Sequence, residues 1–554
     1  MGPTRKTAWL SGIGAVLLLA GARCSQSAEI PAASAAEQGA SATAADGPQE
    51  ALASAASLAI APTAPPARPP LSSDALRARV EAQRRILGRE GLFEDATGTV
   101  VPVIEAPSQP ATENSPPDQA TPPDDGGLLD ALPGSAGMDA DGSLEGSVRA
   151  NGNALGLFTP IETRDDQTLG RFYAALRSLT AGERTTVNVA VYGASHTQAD
   201  IYPAYIRNYL QSRFGAGGRG VVSLVKFSRW YRTADFSVES SKHWKTEHAQ
   251  KKEHAEEGWF GLMGVSGHSS NKRAWTRVKP RNSSDPASHG SRYELSFLKQ
   301  PRGGRFKVYV DGRLHKTVKT KSKTPALGAF VIETELGPHE IEVRPYGDGQ
   351  VRLFGMQIEN GQPGVIVDTL GISGTRAANH LAWHEPIWQE SFAKRDPQLY
   401  LLAYGTNETT DEDQPMSVYR RELKAVLDRL KATSPNASCV LVGPGDFPQQ
   451  SADGLWTTRP RLVEIVEAQR AVAYEAGCGF WDALAFMGGA GSMHTWATSV
   501  PQMAKSDHIH LTRRGYVRLG MAVTDALMAD YEQTARGVDP EPSSARSLDP
   551  NTVH

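Results

Sequence analysis

The sequence predicts an α/β protein in which a parallel sheet of five strands is interrupted by an inserted antiparallel β-sandwich. Five short apolar runs alternate with segments of helical periodicity, a pattern typical of a parallel sheet covered by helices on both faces. Segment 226–361, between the first and second runs, is far too long for one crossover connection. Its side chains alternate between polar and apolar, which is the period of half-buried antiparallel strands.

The five apolar runs are rich in β-branched residues and are predicted to be buried strands. They lie at 187–192, 364–368, 399–404, 439–443 and 479–482. Helices are predicted at 166–180, from 197 through Leu210, and at 415–433, 461–476 and 514–531. Crossovers between parallel strands should be right-handed. This α/β domain is expected to cover 157–225 and 362–535.

The insert at 226–361 is strongly basic. Residues 226–360 contain 24 Lys and Arg against 15 Asp and Glu, and 24 − 15 gives +9, whereas the whole chain carries −3. A basic insert predicts an anionic polymer as partner, although the same charges could simply be solvated on a scaffold. The nearly neutral whole chain gives no argument for binding nucleic acid.

The N-terminus has the pattern of a secretory signal peptide. Arg5 and Lys6 precede an apolar run at 9–21, which is too short to span a bilayer. We expect residues 1–27 to be the signal and the protein to be exported. The run ending at Cys24 resembles a bacterial lipoprotein signal, in which that cysteine would be lipidated; cleavage near residue 27 is the alternative.

Two further segments are predicted to be disordered. Residues 28–156 are rich in Ala, Pro, Ser and Gly, and such a composition cannot bury enough apolar surface to offset the entropy of ordering. We expect this segment to be a tether and residues 536–554 to be a tail. Of the remaining cysteines, Cys439 and Cys478 begin predicted strands, and either buried free thiols or a disulfide would fit. No CxxC or HExxH motif indicates a metal site.

Ser195 occupies the position where reactive groups gather in an open α/β sheet. It follows the first predicted strand at the turn into a helix, in the run 187–200. A helix N-terminus beside it would favour developing negative charge. The alternative is a serine that only caps the helix.

Three later stretches carry further candidates. Residues 370–375 present Gly371 and Gly374, residues 404–408 present Asn407, and residues 506–516 present Asp507 and His510. Each is a weak signal alone, because glycines after strands are usually turns and an Asn there is usually a cap.

Taken in order, the four blocks GASH, GISG, GTNE and DHIH resemble the SGNH (GDSL) hydrolase superfamily, which is named for Ser, Gly, Asn and His on a flavodoxin-like sheet. Ala194 replaces the usual Asp of the first block, and Thr197 replaces the second Gly of the GxSxG elbow of ordinary α/β-hydrolases. The insert, the GAGGRGVV run near Gly215 and the run from 480 to 516 narrow the resemblance to the peptidoglycan O-acetylesterases, which carry a carbohydrate-binding-module-like β-sandwich at this place. The resemblance covers about 165–531.

The resemblance implies a role for each candidate. Ser195 would be the nucleophile, His510 the general base and Asp507 the acid that orients it. The Ser195 and Gly374 amides and the Asn407 side chain would form the oxyanion hole, with the Gly371 amide as the alternative donor. This chemistry needs neither a cofactor nor a metal.

Other residues near the blocks receive ordinary interpretations. His196 and His508 are expected to face solvent, and Glu408 to cap a helix or form a salt bridge. Four large side chains near the C-terminus could line a sugar or acyl pocket but are expected to be core: Trp481, Met487, Met493 and Trp496.

We therefore expect an exported serine esterase that removes O-acetyl groups from a carbohydrate polymer, in particular peptidoglycan. The alternatives are an O-acetyltransferase, an esterase acting on another ester such as acetylated xylan or a lipid, and a wall-binding protein with a vestigial triad. The expected location is the periplasm or cell envelope, with Cys24 as the only expected membrane anchor and no nucleic acid partner. The sequence predicts neither the oligomeric state nor the position of the acetyl group.

Overall fold

The structure, a computed structural model, describes residues 159–164, 168–250 and 257–535. The predicted signal at 1–27 with Cys24, the tether at 28–156 and the tail at 536–554 lie outside the described residues. Within the described part, no helix is both long enough and apolar enough to cross a membrane.

Strands and helices follow one another along the described part of the chain. The strands are β1 (Thr186–Gly193), β2 (Gly220–Ser223), β3 (Phe236–Ser240), β4 (Lys245–His248), β5 (Val265–Ser269), β6 (Thr276–Pro280), β7 (Gly290–Lys299), β8 (Arg305–Val310), β9 (Arg313–Lys319), β10 (Ala326–Gly337), β11 (Ile341–Pro345), β12 (Val351–Glu359), β13 (Gly364–Gly371), β14 (Leu399–Ala403), β15 (Ser438–Val442), β16 (Pro448–Gln450), β17 (Trp456–Thr458) and β18 (Gly479–Trp481). The α-helices are α1 (Gly170–Thr180), α2 (Ser195–Gln198), α3 (Tyr202–Phe214), α4 (Glu385–Arg395), α5 (Met416–Thr433), α6 (Pro460–Ala476), α7 (Ala483–Met487), α8 (Ser492–Thr498) and α9 (Arg513–Ala535).

The central sheet has the order β13-β1-β14-β15-β18, and all four pairings are parallel. The five predicted strands are confirmed. If these five strands are numbered by their order along the chain, their order in the sheet is 2-1-3-4-5, which is the flavodoxin-like order. Successive connections therefore lead to opposite sides of β1. Residues of β1 alternate between two cores: Val189 packs with α1, α3 and α9, whereas Tyr192 packs with α4, α5 and α6.

The helix predicted from residue 197 is in fact two helices. The α2 helix ends at Gln198, Asp200 adopts a left-handed backbone with φ of 51°, and α3 begins at Tyr202. Asp200 is buried, and its carboxylate pairs with Arg219 at 2.8 Å and with Arg207 at 3.4 Å. Burial alone would raise the pKa of Asp200, but the two guanidinium groups outweigh it and lower that pKa. A continuous helix was the wrong prediction because the break at Asp200 depends on ion pairs that form only in the folded structure.

The insert consists of two antiparallel sheets. One has the order β10-β7-β12-β5-β4, with β2 also paired to β12, and the other has the order β3-β6-β11-β8-β9. Aromatic rings meet between the sheets, where Phe297 of β7 and Phe306 of β8 pack edge to face at 5.3 Å. The predicted inserted antiparallel β domain is confirmed, and β2 shows that its pairing starts before residue 226.

Cys439 and Cys478 form a disulfide, which decides between the two alternatives that the sequence left open. Cys439 lies in β15 and Cys478 immediately precedes β18, and both are buried. Because β15 and β18 are hydrogen-bonded neighbours, the bridge joins two strands at the edge of the parallel sheet.

Candidate active site

Ser195 lies at the carboxyl edge of the central sheet, directly after β1, which is flanked by β13 and β14. The turn from β1 requires Gly193, because a Cβ there would lie 2.0 Å from Thr197 Oγ1 and 2.8 Å from the Ala403 carbonyl. Ser195 is the first residue of α2, and Ala194 occupies the cap position, so the cap interpretation of Ser195 is wrong. At this position the backbone N–H of Ser195 has no acceptor within the helix and can serve a ligand.

His510 joins Ser195 to Asp507. Its Nε2 lies 3.0 Å from Ser195 Oγ, and its Nδ1 lies 2.8 Å from Asp507 Oδ2. The other carboxylate oxygen of Asp507 accepts backbone hydrogen bonds from Ile509 at 3.0 Å and His510 at 2.9 Å. One short loop therefore fixes the acid and the imidazole relative to each other, in the geometry of a hydrolytic triad.

The Asp507 carboxylate is held ionised. Burial raises its pKa, but the hydrogen bonds from the His510 side chain, the His510 amide and the Ile509 amide outweigh burial and lower that pKa. The side chains of His510 and Asp507 are 36% and 43% exposed, so the triad opens to solvent. A large substrate can reach it without a deep channel.

Gly374 lies on the loop after β13, beside α2. The Ile372 amide donates to the Gly193 carbonyl at 3.0 Å, and the Ser373 amide donates to Gln198 Oε1 at 2.7 Å. Gly374 itself has φ of 81°, a conformation that favours glycine. At Gly371 a Cβ would lie 2.2 Å from the Gln198 amide nitrogen, so this glycine is explained by close packing of β13 against α2.

Asn407 lies on the loop after β14, the other neighbour of β1. Its Nδ2 donates a hydrogen bond to the Thr375 carbonyl at 2.8 Å, so Asn407 and Gly374 are brought together. An amide nitrogen carries two hydrogens, and the second remains for a ligand. In the strand register, Gly193 pairs with both Gly371 and Ala403. The loops that carry Ser195, Gly374 and Asn407 therefore begin at the same height along the sheet.

Glu408 contributes a contact that the sequence analysis missed. It is buried, and its carboxylate accepts hydrogen bonds from the Ala377 amide at 2.9 Å and the Gly405 amide at 3.0 Å. Burial raises the pKa of Glu408 even though these amides oppose the shift. The side chain thus ties the loop of Gly374 to the loop of Asn407. The only signal in the sequence was a carboxylate adjacent to the Asn block.

The prediction that His508 faces solvent is wrong. His508 is buried, has φ of 53° and stacks on Trp456 with ring centroids 3.8 Å apart. Its Nδ1 donates to the Ser506 carbonyl at 2.9 Å, and its Nε2 lies 3.0 Å from Nδ1 of His494. Because a carbonyl only accepts, a neutral His508 must accept at Nε2 from His494. This cluster anchors the loop that carries Asp507 and His510.

His196 also departs from the solvent-facing prediction. It is half-buried, and its Nδ1 lies 3.0 Å from Tyr516 Oη. Burial and the neighbouring His510 lower the pKa of His196 to about 3, so it is neutral at physiological pH.

The four large residues near the C-terminus are buried, as predicted: Trp481, Met487, Met493 and Trp496. All except Trp481 also line a cavity of about 60 Å³ that His196 borders. Among the described residues, no group of three or more His, Cys, Asp or Glu side chains could hold a metal ion.

The sequence matches a known family over part of its length. Residues 343–518 match the GDSL-like Lipase/Acylhydrolase family, a span that includes Gly374, Asn407, Asp507 and His510. Over this span the chain is similar to the GDSL (SGNH) hydrolase family, whose members are esterases. Ser195 lies before the matched span. No curated protein matches the sequence significantly.

Among solved structures, a peptidoglycan O-acetylesterase superposes on this chain with a TM-score of 0.56 and 22% identity, covering 67% of this chain and 99% of that one. This likeness supports the fold. A family two carbohydrate esterase from Cellvibrio japonicus matches with a TM-score of 0.22 and 11% identity, over 53% of this chain and 98% of that one. A family two carbohydrate esterase from Clostridium thermocellum, in complex with cellohexaose, matches with a TM-score of 0.21 and 11% identity, over 50% of this chain and 96% of that one.

Proposed function

We propose that this protein is an exported serine esterase of the GDSL (SGNH) type that removes O-acetyl groups from peptidoglycan. The observation that carries the proposal is the hydrogen-bonded series Ser195–His510–Asp507, with distances of 3.0 and 2.8 Å. Export rests on the signal pattern at 1–27. The peptidoglycan substrate is supported by the solved peptidoglycan O-acetylesterase, almost all of which this chain covers, and by the basic insert.

The proposed reaction proceeds in two steps. Ser195 Oγ bonds to the acetyl carbonyl carbon while His510 Nε2 takes the hydroxyl proton, and that proton passes to the departing sugar oxygen as the ester bond breaks. Water then attacks the acetyl-enzyme, His510 again takes and returns a proton, and acetate leaves. The Asp507 carboxylate stabilises the imidazolium formed in each step.

The oxyanion of each tetrahedral intermediate needs donors that are already in place. In this proposal the Ser195 and Gly374 amides and the free hydrogen of Asn407 Nδ2 supply them. Losing one such donor typically costs about 3 kcal/mol of transition-state stabilisation. Asn407→Ala should therefore lower kcat by about a hundredfold or more.

The decisive experiment measures acetate release by the full-length protein from O-acetylated peptidoglycan sacculi, with acetylated xylan at the same acetyl concentration beside it. Faster release from sacculi that disappears in Ser195→Ala is the expected result. Release from xylan alone would overturn the substrate and keep the chemistry. Acetyl transfer to an added acceptor glycan without free acetate would replace hydrolysis by transfer.

A further inference from the structure

The positive charge of the insert is concentrated on one hairpin. Segment 302–323, which contains β8 and β9, holds eight Lys and Arg and one acid, and 8 − 1 gives +7 of the +9 carried by 226–360. The single acid, Asp311, already pairs with His339 at 2.7 Å. Six cations of the hairpin are exposed and form no ion pair within the described residues: Arg302, Arg313, Lys316, Lys319, Lys321 and Lys323.

The strand register places Lys319 and three further cations on one open face of the sheet. Residues directly opposite one another in antiparallel strands point to the same side of the sheet. Lys319 of β9 is opposite Arg305 of β8, and Lys307 of β8 is opposite Arg344 of β11. Arg305 and Arg344 are 40% and 50% exposed, so this side of the sheet is open to solvent.

Aromatic rings lie between these cations. The Arg305 guanidinium lies 4.0 Å from the centroid of Tyr346, and Lys307 Nζ lies 5.3 Å from the same ring. Arg344 lies 5.0 Å from the centroid of Tyr309. Tyr346 is 45% exposed. Cations held over aromatic rings combine charge with flat apolar surface.

Protection of a sheet edge does not account for this arrangement. Lysines on an edge strand deter unwanted strand pairing, and β9 is an edge strand. However, β8 and β11 lie inside the sheet and also present cations to solvent, and Lys321 and Lys323 continue the series beyond β9. Arg305 and Arg344 are each paired with an acid, Asp348 and Glu342 respectively. The hairpin lysines form no ion pair within the described residues, and a bound polyanion would relieve the repulsion among them.

We propose that this surface binds the carboxylates of the peptide stems of peptidoglycan. We call it the cationic face and define it as hairpin 302–323 with Arg344 and Tyr346. The cationic face would hold the polymer while the triad acts on its glycan. The exposed ring of Tyr346 suits a sugar ring, which favours a glycan over a bare anionic membrane. This proposal rests on the proposed function, because it takes peptidoglycan to be the substrate.

The test compares two full-length variants that each lose three positive charges. Lys319, Lys321 and Lys323 are changed to Gln in the first. The matched control changes Arg420, Arg421 and Lys424, which are exposed on α5, to Gln. Binding to insoluble sacculi is measured by co-sedimentation over a range of salt concentrations, and turnover of p-nitrophenyl acetate verifies that each variant is folded and active.

The hairpin variant should bind sacculi about tenfold more weakly at low salt and lose most of the salt dependence, whereas the control should stay within about twofold. Amidating the sacculus carboxylates should weaken wild-type binding to the level of the hairpin variant. Equal losses in both variants, or none in the hairpin variant, would overturn the proposal. Loss of binding to phosphatidylglycerol vesicles with sacculus binding intact would assign the face to membranes instead.

The esterase proposal and the cationic-face proposal can each be overturned without the other. Salt-sensitive sacculus binding through the hairpin without acetate release would overturn the esterase assignment and leave the cationic face standing. Acetate release that requires Ser195, with hairpin and control variants binding alike, would overturn the cationic face alone.

Discussion

The carboxylate of Glu408 accepts a hydrogen bond from the backbone amide of Ala377 at 2.9 Å, across the gap between the two loops that carry Gly374 and Asn407. Its second oxygen accepts from Gly405 at 3.0 Å on the Asn407 side. The spacing of the proposed oxyanion donors is therefore set by a buried residue that need not touch the substrate.

Glu408→Gln should weaken catalysis although it conserves shape. The amide nitrogen of Gln would face one of the two backbone N–H groups, and a buried donor left without an acceptor costs about 1–3 kcal/mol. We expect kcat for p-nitrophenyl acetate to fall by about tenfold with little change in KM. Glu475→Gln, at a carboxylate that is 54% exposed, is the matched control and should be neutral. Wild-type kcat in Glu408→Gln would contradict a positioning role.

The pH dependence should report neither His196 nor Asp507. The pKa of His196 lies at about 3, and that of Asp507 is lowered, so both keep their charge above about pH 4. Burial raises the pKa of Glu408, so this carboxylate takes up a proton as the pH falls and its hold on the Ala377 and Gly405 amides weakens. We expect log kcat/KM to rise with a steeper slope from about pH 4 in the wild type than in Glu408→Gln. Equal slopes in both proteins would mean that Glu408 does not titrate with the reaction.

Asp507→Asn tests the acid directly. An Asn at this position cannot stabilise the imidazolium and permits the wrong imidazole tautomer, which in serine proteases lowers kcat by about 10⁴-fold. We expect a loss of at least about a hundredfold in kcat for p-nitrophenyl acetate at neutral pH. An Asp507→Asn variant with near wild-type kcat would remove Asp507 from the triad.

His508 should position the catalytic loop. His508→Asn keeps a residue that tolerates the left-handed backbone, whereas His508→Ala adds about 1 kcal/mol of strain, and both lose the Trp456 stack and the His494 contact. We expect kcat to fall in both variants, and to fall further in His508→Ala than in His508→Asn, with KM nearly unchanged. His315→Ala, on exposed β9, is the control. Unchanged kcat in both variants would show that the loop holds without this anchor.

Most of the fold was predictable because local sequence patterns specify its strands and helices. Buried strands such as β1 and β14 are continuous apolar runs, and the alternating insert signals antiparallel sheets. The break at Asp200 was not predictable, because its causes, Arg207 and Arg219, act through the folded structure.

The site was predictable only as far as its motifs extend. Ser195, Asp507 and His510 follow from their blocks, and the structure brings them within hydrogen-bonding distance. The burial of His508 depends on Trp456, which lies in a short hairpin about fifty residues earlier in the chain. No apolar run in the sequence predicts that hairpin. Charge counting located the basic insert, but only the strand register reveals which face carries the charge.

The disulfide should contribute stability without taking part in the reaction. Cys439 and Cys478 are 39 residues apart, and closing a loop of this length stabilises the folded state by about 4 kcal/mol in the chain-entropy description. The double variant Cys439→Ser, Cys478→Ser should unfold at a clearly lower temperature in a thermal scan and retain kcat at 25 °C. A reducing agent should lower the unfolding temperature of the wild type but leave that of the variant unchanged.

The most direct test of the central claim is whether Ser195 becomes covalently modified in a reaction that depends on His510. The full-length protein is treated with a phosphonofluoridate that reacts with activated serines, digested and mapped by mass spectrometry, beside His510→Ala and the control Ser212→Ala. We predict stoichiometric labelling of Ser195 with parallel loss of esterase activity in wild type and Ser212→Ala, and almost none in His510→Ala. Labelling elsewhere, or full esterase activity in a protein with Ser195 blocked, would contradict the proposed nucleophile.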